Sequence, residues 1–134
     1  MLMPPGLRHL LGWSGAYGGL GFAAGFVFGV LRQLVLIPAF GERAGHLIEF
    51  PMVTLTVFGL GAWIGARSAA PALGIGLLGA AVLIAFESTM ALGFAGLSLS
   101  DYLAGYDVAR GALFPFGLAA MAVAPLVGRW SDRR

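Results

Sequence analysis

Apolar residues along this chain come in long, nearly uninterrupted runs rather than in strict alternation. The first run extends from Ser14 to Ile37, and later ones from Arg43 to Ala66, Pro71 to Ala95 and Arg110 to Val127. About 20 apolar residues cross the hydrocarbon layer as a helix, so each run predicts one membrane span. Short polar breaks separate them. The break Ala39-Phe-Gly-Glu-Arg43 joins spans one and two and predicts an antiparallel hairpin. The break Leu97–Ala109 is longer and mixes Leu97, Leu99, Tyr102, Leu103 and Tyr106 with Ser98, Ser100, Asp101 and Asp107. That mixture predicts a short interfacial helix capped at Ser100, its tyrosines at headgroup level. The expected fold is therefore all-α: one domain over residues 1–134, a four-helix transmembrane bundle with an interfacial helix between spans three and four.

Prolines and glycines refine this picture. Pro38 lacks an N–H and is expected to end span one, and Pro51 to be tolerated in span two or to kink it. Gly21, Gly25 and Gly29 share one face of span one, and Gly61 and Gly65 pair on span two; both sets predict faces that admit a neighbouring backbone. Gly74-Ile-Gly-Leu-Leu-Gly79 has the spacing of a dinucleotide-binding glycine pattern, but no strand precedes it, so helix packing is the better account. Phe50-Pro51 and Phe114-Pro115 fall early in spans two and four, as a duplicated hairpin would place them. The segment Met1–Trp13 reads as a retained cytoplasmic lead-in, because the apolar run after it is too long for a signal peptide.

Composition supports the membrane class and closes off others. Hydrophobic residues make up 59% of the chain and charged ones 10%, and mean hydropathy is +0.90. Soluble domains carry about a quarter charged residues. A net charge of +2, spread along the chain, excludes a nucleic-acid interface, which needs a clustered basic face. With no cysteine, disulfides and thiolate chemistry are absent. Four spans put Arg8, Arg67, Arg129, Arg133 and Arg134 on one side and Arg43 and Arg110 on the other. That asymmetry predicts both termini in the cytoplasm and, for a bacterial protein, residence in the inner membrane.

The candidate chemistry is a layer of charge inside the apolar runs. Counted from the outer ends of their spans, Arg32, Glu49 and Glu87 lie about 8, 9 and 12 Å deep, at about 1.5 Å per residue. Charged residues at such depth cost about 2.5–3.5 kcal/mol each on insertion scales and seldom face lipid. The five donors of Arg32 can bridge both carboxylates. The set then carries one net negative charge, and a proton on either glutamate neutralises it. Two roles follow: a structural pin between spans, or a proton- or ligand-binding site. His46, a turn above Glu49, reads as an interfacial polar residue, since His9 lies on the opposite side and no second ligand for a metal is near.

The pattern Arg32…Pro38…Gly41-Glu42…Glu49-x-Pro51, continued by Glu87, Leu97-Ser-Leu-Ser-Asp-Tyr-Leu-Ala104 and Gly111-Ala-Leu113, resembles a family of small four-span membrane proteins of proteobacteria with no assigned activity. The resemblance implies a fold and a membrane location. No Ser–His–Asp set, His-Glu-x-x-His motif or phosphate loop occurs, so no catalytic residue, cofactor or metal is expected. The leading expectation is a non-enzymatic accessory or scaffold protein, packed in the bilayer against copies of itself or a larger membrane complex. The alternative is a small oligomeric proton-coupled transporter or channel that uses the buried glutamates.

Overall fold

The computed structural model describes residues 3–133. It is all-α and 86% helical, which leaves room only for tight connections. Helix α1 spans Pro5–Phe40, α2 Glu42–Arg67 and α3 Ala72–Phe94. A short α4, Leu99–Ala104, and a 3-10 turn, Val108–Arg110, lead into α5, Phe114–Asp132. Three helices, α1 to α3, are long and apolar enough to cross a membrane, the pattern of a multi-pass membrane protein. Large apolar side chains such as Leu34, Leu55, Trp63, Leu77 and Phe94 stand exposed on their outer faces. Water does not favour so much uncovered apolar surface, whereas lipid does.

Several boundaries differ from those the sequence predicts, each for a local reason. Helix α1 begins at Pro5, so the lead-in is helical from Pro5 to Trp13 and continuous with the first span; Met1 and Leu2 lie outside the described residues. Pro38 does not end α1. A π turn over Arg32–Leu36, closed by the Ile37 N–H donating to the Arg32 carbonyl, widens the ladder just before it. That widening relieves the clash between the proline ring and the Leu34 carbonyl. The helix stops instead at Gly41, whose φ of 93° a side chain would resist. One residue thus separates α1 from α2. The corner is tight because a Cβ on Gly45 would stand 3.2 Å from the Ile37 backbone nitrogen.

Ser98, not Ser100, caps α4, its hydroxyl accepting the Asp101 N–H at 3.1 Å. Helix α5 starts at Phe114 rather than Arg110, because Gly111, at φ 95°, ends the 3-10 turn in the left-handed region. Pro115 therefore sits in the first turn of α5 while Pro51 is interior to α2. The two Phe-Pro pairs are not in equivalent register, so they lend a duplication no support.

The two ends of the bundle pack differently. At the end holding the N-terminus of α1 and the C-terminus of α5, small residues let backbones nearly touch. A Cβ on Gly65 would run into the Pro125 carbonyl, one on Gly128 into Ala62, one on Gly76 into Ala122 and one on Gly18 into the Gly79 carbonyl. Tyr17 fills the centre of this end and is fully buried. Its hydroxyl donates to the Met121 carbonyl at 2.7 Å. The carbonyl is free to accept because its normal donor would be the N–H four residues on, and that residue is Pro125. Tyr17→Phe is expected to lose about 1–3 kcal/mol, the cost of an unsatisfied buried acceptor. In a Pro125→Ala background, where an N–H is restored, the loss should shrink to under about 1 kcal/mol. Equilibrium unfolding in mixed micelles measures both, and an equal loss in the two backgrounds would refute the account.

The same end gathers positive charge. Arg129 donates from Nε to the Gly65 carbonyl at 3.0 Å and from Nη2 to the Ser68 carbonyl at 2.6 Å, capping α2. Arg67 lies over the Trp63 ring at 4.8 Å. Arg134, counted with them above, is outside the described residues.

Candidate functional site

At the opposite end the helices part and enclose a cavity of about 1150 Å³. Its floor is the Gly21, Val57, Leu83 and Met121 layer just above Tyr17, and its rim is α4 with the turn that follows. Both π turns border it: Arg32 opens the one in α1, and Glu87 precedes the one over Thr89–Phe94 in α3. Such turns recur at functional sites because the extra residue re-aims side chains.

All four polar residues singled out by the sequence line this cavity: Arg32, His46, Glu49 and Glu87. They are not equally engaged. Arg32 Nη1 donates to Glu49 Oε2 at 2.6 Å, and the two side chains are 24% and 12% exposed, a partly buried charge-assisted pair between α1 and α2. Arg32 Nε is buried without a hydrogen-bond partner. Glu87 lies within electrostatic range of Arg32 and of Tyr106. Among the described residues it makes no hydrogen bond or ion pair. The layer is thus one pair plus one unpaired carboxylate, not a closed trio. His46 is exposed at the rim.

The glycines divide between the two ends. Gly61 and Gly65 sit at close approaches, to Tyr17 and Ala124 and to Pro125 respectively. On α1, a Cβ at Gly21 would stand 3.3 Å from Met121 Cε, one at Gly25 would come no nearer than 3.8 Å to Glu87 Oε1, and one at Gly29 would meet nothing within 4 Å. All three line the cavity. Above the floor, then, this row leaves space where a side chain would stand. The close packing of α1 falls at Gly18, which the sequence pattern of Gly21, Gly25 and Gly29 passes over.

A hydroxyl chain on the α3–α4 side was also illegible in the sequence. Ser88 donates to the Ile84 carbonyl, and its oxygen stands 3.1 Å from the Tyr102 hydroxyl, itself 2.7 Å from that of Tyr106. Each hydroxyl has one proton. With the Ser88 proton committed to Ile84, Tyr102 must donate to Ser88 and Tyr106 to Tyr102. Burial, and then the Tyr102 hydrogen bond, hold the Tyr106 phenol above its ordinary pKa range, so the chain keeps its protons. Tyr106 also packs edge-on against Phe114, ring centroids 5.2 Å apart. This network ties α4 and its following turn to α3 across the cavity mouth.

Among the described residues, no group of three His, Cys, Asp or Glu side chains is arranged to hold a metal ion. Comparison of the chain with family models, with curated proteins and with solved structures finds no match in any of the three.

Proposed function

We propose that this protein is a small proton-coupled transporter of the bacterial inner membrane, with Glu87 as its proton carrier. The single observation behind this reading is the pairing pattern. Arg32 neutralises Glu49, while Glu87 faces the cavity unpaired. Protonation of Glu87 leaves Arg32, Glu49 and Glu87 neutral together; its release restores one negative charge. A purely structural pin needs no unpaired carboxylate and no cavity. Glycine faces, the ground for a scaffold role, are largely spent inside the bundle at Gly18, Gly61, Gly65, Gly76 and Gly128.

In this reading α5 is the fourth span. Its 19 residues reach about 29 Å, close to the hydrocarbon thickness. Both termini then face the cytoplasm, with Arg8, Arg67, Arg129 and Arg133 at the end they share. The cavity lies at the other end, and four spans offer little path within one protomer, so transport requires a homo-oligomer in the bilayer. The protein performs no bond chemistry and uses no cofactor.

Reconstitution tests the proposal. In liposomes under an imposed pH gradient, the wild type is expected to dissipate the gradient severalfold faster than Glu87→Gln. Infrared difference spectroscopy should show, among the titrating carboxyl bands, one that Glu87→Gln removes. Identical gradients and identical carboxyl bands in the two proteins would end the proton-carrier reading. The scaffold reading keeps one supporting feature, an outward face of α1 formed by Gly12, Ala16, Gly19 and Ala23 with little covering it; unchanged oligomer size after Gly19→Leu would remove that support.

A further inference from the structure

Resting on that reading, we propose that the cavity takes a single-chain amphiphile bearing one positive charge, its head against Glu87 and its tail along the α1 glycine row. Three observations converge on this ligand class. The first is charge. Arg32 is committed to Glu49 and Asp101 stands exposed at the rim, so Glu87 is the part-buried carboxylate left for a ligand, and one positive charge is its complement. The other ionisable groups around the cavity do not alter this. From α2 comes the exposed His46, from α4 Asp101 and Tyr102, and from the following turn Tyr106 and Arg110. Arg110 points largely to the outside and pairs with Asp107 at 3.4 Å.

The second observation is shape. Above the floor, Gly25 and Gly29 share one helix face with open space before them, so the open part of the row spans about 6 Å along α1. It forms a slot without side chains, and its inner member lies beside Glu87: a Cβ on Gly25 would stand 3.8 Å from Oε1. The walls beyond are apolar, with Phe22, Val53, Leu83 and Leu118 among them. A slot running from that carboxylate toward Gly29 fits the first carbons of a narrow alkyl chain with its charge at one end. A compact inorganic cation would leave the slot empty.

The third observation is aromatic. Tyr102, Tyr106 and Phe114 line the cavity on the α4–α5 side, and Tyr102 and Tyr106 are held there by their hydrogen-bond chain to Ser88. Ring faces attract an organic cation once water is excluded. Because Tyr102 and Tyr106 spend their protons within that chain, they offer a cation ring faces and lone pairs rather than competing donors. The head group and a proton then compete for Glu87, which couples ligand binding to proton release with a stoichiometry of one.

The test uses the full chain in zwitterionic phospholipid nanodiscs, with decyltrimethylammonium as probe and decanol and decyl sulfate as neutral and anionic counterparts. Calorimetry, corrected for empty nanodiscs, is expected to show saturable binding of the cation at least about tenfold tighter than either counterpart, a difference of about 1.4 kcal/mol. Repeating it in buffers of different ionisation enthalpy, at a pH where the infrared titration shows Glu87 protonated, should show one proton released per cation bound. Glu87→Gln should abolish the preference for the cation and the proton release. Gly29→Leu, which fills open space and leaves the fold intact, should weaken the cation about tenfold or more while the Glu87 carboxyl still titrates without ligand.

Equal affinities for the three probes, or a cation preference that survives Glu87→Gln, would overturn the ligand class. The infrared titration of Glu87 in the same ligand-free nanodiscs separates the two levels. If Glu87 titrates there while cation selectivity is lacking, the ligand class alone fails. If Glu87 does not titrate, the proton-carrier reading fails and takes the ligand class with it.

Discussion

Glu49→Leu is expected to destabilise the protein by about 3 kcal/mol, near the lower end of what is lost when one partner of a buried pair is removed. The loss arises mainly from what stays behind. Arg32 Nε already lacks a partner, and its guanidinium would then be left among apolar groups with Nη1 unpaired as well. The lower end applies because Arg32 retains 24% exposure and can draw partly toward the rim. Removing both charges changes the sign of the argument. A well-packed Arg32→Met, Glu49→Leu double variant leaves no orphan and is expected to recover to within about 1 kcal/mol of the wild type. Denaturant titration in mixed micelles on the four proteins of this cycle gives the coupling between the two side chains. A double variant no more stable than Glu49→Leu alone would show that the pair does not act as a unit. Glu87→Gln, which breaks no contact of an already paired group, should by comparison cost little stability. That contrast separates the residue that holds α1 to α2 from the residue assigned to the proton.

How much of this was legible in the sequence depended on whether the signal was local. Run length placed α1 to α3, because a span needs a fixed number of apolar residues whatever it packs against. Depth counting placed Arg32, Glu49 and Glu87 in one layer, because helical rise converts sequence distance into height. It could not say which carboxylate Arg32 would take. That choice depends on helix rotation and on two π turns, and only one of these, ahead of Pro38, has a sequence cue. Boundaries failed where a competing local rule prevailed. Pro38 is the stop the sequence predicts although Gly41 three residues later can turn the chain at no steric cost, and Ser100 is the predicted cap although Ser98 has Asp101 three residues on in the manner of a capping box. The glycine rows were visible but ambiguous. A stripe of small residues reads the same whether a neighbouring backbone enters the space or nothing does, and here Gly61 and Gly65 are of the first kind while Gly25 and Gly29 are of the second. Tyr17 carried no signal of its own. Its partner became predictable only from Pro125, more than 100 positions away, through the carbonyl that proline sets free.

The division between filled and empty glycines leads to the second large effect. Gly65→Ala is expected to cost about 2–3 kcal/mol, and Gly65→Val more, although each adds only a small apolar group. The added Cβ would collide with the Pro125 carbonyl. A flexible side chain could swing aside, but a backbone carbonyl moves only with its helix. Parting α2 from α5 would also stretch the Arg129 bonds to Gly65 and Ser68 and loosen Tyr17 from Met121. Gly128 meets Ala62 one turn further along the same crossing, so Gly128→Ala alone should cost a similar amount. Once either substitution has pushed the helices apart, the space for the other already exists. The double variant should therefore lose well under the sum of the two, with a coupling of about 1 kcal/mol or more. Additive losses would mean that each site relaxes locally and that the crossing is softer than its geometry implies. Gly29→Leu is the control from the other end of the same bundle: a much larger side chain entering open space, with an expected change of about 0.5 kcal/mol or less in either direction.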